Sequence, residues 1–310
     1  MHELTTTRHN ELIDPIFHAW GWEIPVYLFL GGMVAGMMII SGYFLFKGRH
    51  KESNCSCFYL PLISIVLLSA GMLALFLDLE HKFFAWRLYT TFQITSPMSW
   101  GAWILILVYP ALIANILLRI PKPIIHRFPK LNRISHKILE HPWYVKNIGV
   151  ANMLLGGMLG MYTGILLSSL GARPLWSTSV LWLLFLVSGL SGAAAFVHLI
   201  AKNVYERELL AKADNGFLVI ELFVIAMMIV GLLTSSKVHM QAAILLLGGP
   251  FAASFWVFVI GMGIVIPLFI QLLAVNHKIH HTPIAPIMVI LGGLILRFVI
   301  VSAGQFSHWF

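Results

Sequence analysis

Six side chains stand within the long apolar runs of this sequence, or at their ends, where hydrocarbon tolerates an ionisable group only beside a partner, a proton or a cavity: Glu23, Asp78, Glu80, His198, Glu221 and Arg297. Carboxylates in such a setting take up and release protons as their surroundings change. An arginine cannot practically lose its proton and demands a carboxylate or carbonyl partner. The chemistry open to the set is therefore proton transfer, along a line joining Glu221 and Arg297 to the acids Glu23 and Asp78 at the span ends, with His81 beside Asp78. Two structural readings compete with it. The group can consist of buried ion pairs that fix helix packing, and Glu23 can be a carboxylate at headgroup depth, favoured by the dipole at the start of its helix.

Metal chemistry finds less support. A b-type haem in a helix bundle needs two axial ligands, usually histidines on facing helices, and only His198 is well inside a span. His18, His81, His239, His277, His280 and His281 are marginal or in loops. His277 and His281 share a helical spacing but stand beside Lys278 and read as a solvated tip. Cys55 and Cys57 are the two cysteines, spaced C-x-C in a short basic loop, too few for a four-thiolate cluster or a usual zinc site. The sequence thus assigns no haem and no metal to this chain.

The elements that must position these groups are membrane helices. With 310 residues, 59% hydrophobic and only 10% charged, the chain lacks the polar surface of a soluble globule. The apolar runs are too long for a barrel of alternating strands. They predict an all-α integral membrane protein of eight spans, near 22–46, 58–79, 98–119, 147–169, 178–201, 215–235, 250–275 and 283–303. The polar Met1–Asp14 segment carries no cleavage site, so the first span reads as retained. Division near residue 172 leaves four spans on each side, 1–172 and 173–310, and suggests two four-helix bundles within one membrane domain. Pro97 with Trp100 finds an echo in Pro250 with Trp256.

The formal charge of +8 would suit nucleic acid, but the cations lie in loops between spans. Loops on one side hold fourteen Lys and Arg, counting Arg119 at the edge of the third span, against five on the side of the termini. The bias toward basic cytoplasmic loops then places 47–57, 120–146, 202–214 and 276–282 in the cytoplasm and both termini outside. His198 and Glu221 fall toward the inner side on this arrangement. The proline-rich loop 120–146 is expected to hold a short helix on the inner surface.

The first span begins Trp20-Gly-Trp22-Glu23-Ile-Pro25-Val-Tyr27, in which Trp20, Trp22 and Tyr27 suit the water–hydrocarbon boundary and Pro25 is tolerated near a helix start. Gly32 and Gly36 form a small-xxx-small pair that admits a second helix closely. The sequence resembles the NrfD family, the membrane subunits of polysulfide reductase and related respiratory complexes. The residues that carry this resemblance are Trp22 with Val26-Tyr-Leu-Phe-Leu-Gly-Gly32, then Leu77-Asp78-Leu79, Thr95-Ser-Pro-Met-Ser-Trp100-Gly101, Leu296-Arg297 and Ala303-Gly304. Together with the eight spans they cover nearly the whole chain.

The resemblance implies a subunit in the bacterial cytoplasmic membrane that binds menaquinone or ubiquinone near the outer face. It would exchange electrons with a four-cluster iron-sulfur protein, which connects to a molybdopterin or multihaem catalytic subunit. The expected quinone contacts are His18, Trp22, Glu23, Tyr27, His81 and Trp100, with Glu23, Asp78, Glu221 and Arg297 handling protons. Glu23 and Tyr27 stand where a relative uses Asn and His. Glu80 and His81 replace the Gly and Pro that usually follow the Asp of Leu-Asp-Leu. The alternative function is an ion or solute transporter, whose midplane site would use paired acids and broken helices.

Overall fold

A computed structural model describes residues 20–49, 58–118, 120, 129–201, 203–275 and 282–307. These residues are helical or in short connections, with no strand among them. Eight helices are long and apolar enough to cross a membrane: α1 (Glu23–Phe46), α2 (Leu60–Asp78), α3 (Pro97–Leu118), α4 (Pro142–Ser168), α5 (Leu181–Ile200), α6 (Val204–Thr234), α7 (Ser254–Val275) and α8 (Ile284–Phe306). His18, Cys55, Cys57, His277, His280 and His281 lie outside the described residues.

The largest departure from expectation is the start of α6, eleven residues earlier than hydropathy places it. Val204–Asp214 holds charges that end an apolar window, yet most of its residues are good helix formers. The Asn203 side chain caps the helix by accepting the Tyr205 amide at 3.0 Å. Likewise Pro142, preorganised for a helix start, begins α4 ahead of its apolar run. A short helix, Lys237–Leu247, occupies the connection between α6 and α7 and was not anticipated. In α7, Ser254–Val265 has π-helical winding and Ile266–Val275 is α-helical. The change falls beside Pro267, whose ring cannot donate to the ladder and crowds the carbonyl of Gly263.

Small residues let the central helices meet. A Cβ on Gly189 of α5 would lie 2.6 Å from the Gly32 carbonyl oxygen of α1, and one on Gly36 would lie 2.7 Å from the Gly189 carbonyl oxygen. This is the close approach that the Gly32/Gly36 spacing predicts, and it suits a membrane, where packing rather than hydrophobic exclusion joins helices. α1 packs against α2, α4 and α5; α3 bridges α2 and α4; α6 and α8 pack on α5, and α7 on α6 and α8. On these contacts we propose α1–α4 and α5–α8 as the two four-helix halves, joined through α1, α4, α5 and α8. α1 is the most enclosed helix, with Leu28, Val34, Met37 and Met38 fully buried.

The first and last described residues meet at one end of the bundle, the terminal face. The Gln305 side chain accepts the Trp20 amide and donates to the Trp20 carbonyl, both at 3.1 Å. Trp20 stacks on Trp176, with ring centroids 5.1 Å apart, and Trp176 donates to the Ile300 carbonyl at 2.9 Å. Trp20 therefore pins the entry to α1 against the bundle. At the opposite, basic face, the helix Pro129–Leu139 packs on α3 and α4. Ile138 joins Leu45, Leu118 and Val145 in a small apolar cluster there.

Candidate functional site

The connection between α2 and α3, residues 79–96, folds over the terminal face through the short helical turns Lys82–Phe84 and Arg87–Thr90. The Ser-Pro-Met-Ser-Trp-Gly stretch holds it down. Ser99 accepts the Gln93 amide at 3.0 Å and donates to the Thr91 carbonyl at 3.3 Å, while the Trp100 indole donates to the Ile94 carbonyl at 2.7 Å. Gly101 makes room for the ring of Tyr162 from α4. Between the connection and the start of α3 these ties border an open cavity of about 410 Å³. Leu79, Phe84, Leu88 and Met98 give it apolar walls, and His81, Arg87, Thr91 and Gln93 bring polar groups to it. Apolar walls with a few convergent polar groups are the usual make-up of a small-molecule site.

Around this cavity the sequence-predicted residues divide. His81 lines it. Asp78 and Trp100 directly adjoin the lining residues Leu79 and Ser99, and Asp78 is within electrostatic range of Glu23. Tyr27 does not line it: its side chain is buried among α1–α4, in electrostatic range of Tyr162 and Tyr89. Trp22 is largely exposed, turned away from the core. Glu23 is half-buried and Tyr27 buried, so the two expected quinone contacts do not share one open surface. Tyr89, which sequence reasoning passed over, has its phenol pushed above the ordinary value by burial and then by Tyr109. It stays a hydrogen-bond donor through neutral pH.

A second polar group occupies the interior between α5, α6, α7 and α8. The Arg297 guanidinium donates to Ser188, to the Gly293 carbonyl at 3.1 Å and to the Phe185 carbonyl at 3.0 Å, and lies over the Phe185 ring. The Glu221 carboxylate lies close to Ser188 and within electrostatic range of Arg297. Gly32 of α1 makes room here as well, since a Cβ on it would come 3.3 Å from the guanidinium. Gly32 lies nine residues after Glu23, roughly 14 Å along the helix axis. The Arg297–Glu221 pair therefore sits at mid-depth, rather than Glu221 falling toward the inner side.

Two turns before Glu221 on the same face of α6 lies Asp214, fully buried. It accepts Ser191 Oγ and Gln271 Nε2, each at 2.7 Å. Further toward the basic face, His198 and Arg207 border a cavity of about 120 Å³ with Thr282. Asp214, Ser188, Ser191 and Gln271 were missed because hydropathy placed Asp214 at a loop edge and read the others as apolar-span filler. The seven-residue spacing from Asp214 to Glu221 was the available signal. Among the described residues no cluster of three or more His, Cys, Asp or Glu is assembled as for a metal.

The description "Polysulphide reductase, NrfD" matches residues 7–307 of this chain. The chain belongs to the NrfD family. Among its NrfD relatives, the C subunit of polysulfide reductase from Wolinella succinogenes is 31% identical, over 92% of this chain and 94% of that protein. A protein NrfD homolog of Haemophilus influenzae is 30% identical and protein NrfD of Escherichia coli 29%, each over 93% of this chain and 95% of the relative. With eight apolar helices and this NrfD membership, the chain is a multi-pass protein of the bacterial inner membrane.

Proposed function

We propose that this chain is the quinone-reactive membrane subunit of a respiratory oxidoreductase complex. In this reading it exchanges two electrons and two protons between a membrane quinone and an iron-sulfur partner, which connects to a molybdopterin or multihaem catalytic subunit. The observation that carries the reading is the terminal-face cavity, apolar-walled and lined by His81 and Arg87, beside the Glu23–Asp78 carboxylates. The quinone supplies the redox chemistry when bound. Arg87 and Gln93 can donate hydrogen bonds to its carbonyl oxygens, His81 can exchange a proton, and Asp78 with Glu23 can pass that proton to water. In this reading the terminal face is the outer one, which the distribution of basic loops supports.

The buried groups of the second half support a further step, proton transfer through the membrane by Asp214 and Glu221, with Arg297 as the fixed cation. A free-standing transporter is the rival, and it would purify without an iron-sulfur partner.

Turnover with a soluble quinol analogue, in assembled complexes, tests the site. His81→Gln and Arg87→Gln should each slow quinone-linked turnover roughly two- to tenfold, the effect of about 0.5–1.5 kcal/mol for one lost hydrogen bond. Tyr27→Phe, away from the cavity, should change it less. Electron transfer from an artificial donor, bypassing the quinone, should stay at the wild-type rate in all three. Wild-type quinone kinetics in both cavity variants would place the quinone elsewhere.

A further inference from the structure

At the basic face, the end of α1 and the start of α6 frame a second cavity, of about 350 Å³, lined by Tyr43, Lys47, Arg49, Tyr205 and Leu209. None of these residues belongs to the terminal-face site or to the interior polar group. The cavity combines two cations with two phenols over an apolar floor. The Arg49 guanidinium lies over the Tyr205 ring at 4.2 Å, and the Lys47 ammonium is 5.8 Å from the Tyr43 ring. Stacking holds the guanidinium against α6 and limits the rotamer freedom that binding would otherwise remove. Tyr43, Phe46, Val204 and Tyr205 all keep large exposed apolar surfaces beside it. Tyr43 and Phe46 lie in the last turn of α1, and Val204 and Tyr205 in the first turn of α6.

We propose that this cavity binds the headgroup of an anionic phospholipid. Its phosphate would lie between Lys47 and Arg49, the two tyrosine hydroxyls would donate to its oxygens, and the acyl chains would run along Tyr43 and Leu209. A free phosphate would use the same cations, but it would leave the apolar floor and the flanking Phe46 and Val204 without a partner. Basic pockets between membrane helices select anionic headgroups in this way. The site is independent of the quinone reading, and lipid binding in detergent does not depend on which leaflet the basic face adjoins. By the same loop charges that orient the chain, that leaflet is the cytoplasmic one.

Native mass spectrometry of the full-length chain, purified with the subunits that accompany it, tests this assignment. Delipidated protein titrated with phosphatidylglycerol should take up one tightly held lipid in preference to phosphatidylethanolamine. Inorganic phosphate at millimolar concentration should not displace it. Lys47→Gln or Arg49→Gln should weaken phosphatidylglycerol binding about fivefold each, and the double variant about 25-fold. Quinone-linked turnover should be retained, which shows the variants are folded. Arg49→Lys, which keeps charge but loses the planar stack, should fall between wild type and Arg49→Gln. Equal affinity for the two lipids, unchanged affinity in the double variant, or displacement by phosphate alone would each overturn the proposal.

Discussion

Arg297 is 1% exposed, and every partner it has is an oxygen acceptor or an aromatic face on α5, α6 or α8. A buried cation so enclosed is costly to unbalance: removing one member of a buried pair typically costs about 3–5 kcal/mol, because the other charge stays behind without compensation. Arg297→Leu should therefore lower the thermal stability of the detergent-solubilised protein by an amount in that range. Adding Glu221→Gln should restore part of the loss, since the uncompensated carboxylate is then neutral. Thermal unfolding of wild type, both single variants and the double closes the cycle, and strictly additive losses would show that the two residues do not act as a pair. This pair was legible in sequence as two expensive residues in apolar runs. Asp214 was not, because Lys212 and the charges before it disguise a buried helical turn as a loop.

At the scale of elements, two devices position the sites. One is the α1–α5 approach through Gly32, Gly36 and Gly189, which brings α1 against the helices that hold Arg297. Gly189→Ala would press a methyl group onto the Gly32 carbonyl. Overpacking of this kind typically costs about 1–3 kcal/mol, and it should appear as a lower melting temperature with an altered yield of assembled complex. The other device is Ser99 with Trp100, which ties the 79–96 connection down. Ser99→Ala removes both of that side chain's hydrogen bonds to the connection. It should raise the KM for quinol several-fold while leaving the melting temperature within a few degrees, because the connection is surface structure over an intact bundle. A large stability loss with unchanged KM would instead make Ser99 part of the fold alone. The sequence pointed to this stretch through family resemblance, but not to its task, since its partners Thr91, Gln93 and Ile94 are backbone groups that carry no side-chain signature. The eight spans were legible from hydropathy; the starts of α4 and α6 were not, because proline preorganisation, capping and helix propensity extend helices beyond their apolar windows.

For the molecule as a whole, the arrangement turns on which face is outside. Five cations in the terminal-side segments against fourteen opposite is a strong bias, and the contact of Trp20 with Gln305 places the start of α1 and the end of α8 on the same face. Together they predict that the terminal-face cavity opens outward and that the Pro129–Leu139 helix lies in the cytoplasm. Labelling positions follow from exposure. Ser179, before α5, and Lys137, on the short helix, are both exposed, whereas Ser135 is buried with its hydroxyl on the Leu118 carbonyl and would report poorly. In a background with Cys55→Ser and Cys57→Ser, a membrane-impermeant maleimide applied to intact cells stripped of their outer barrier should label Ser179→Cys and leave Lys137→Cys unreacted. Disrupted cells should label both, which controls for reactivity. The reverse pattern in intact cells would turn the molecule over, moving the terminal-face cavity proposed for quinone to the cytoplasmic leaflet and the Lys47–Arg49 cavity to the outer one. The proton route proposed through Asp214 and Glu221 would then run in the opposite sense relative to the proposed quinone site.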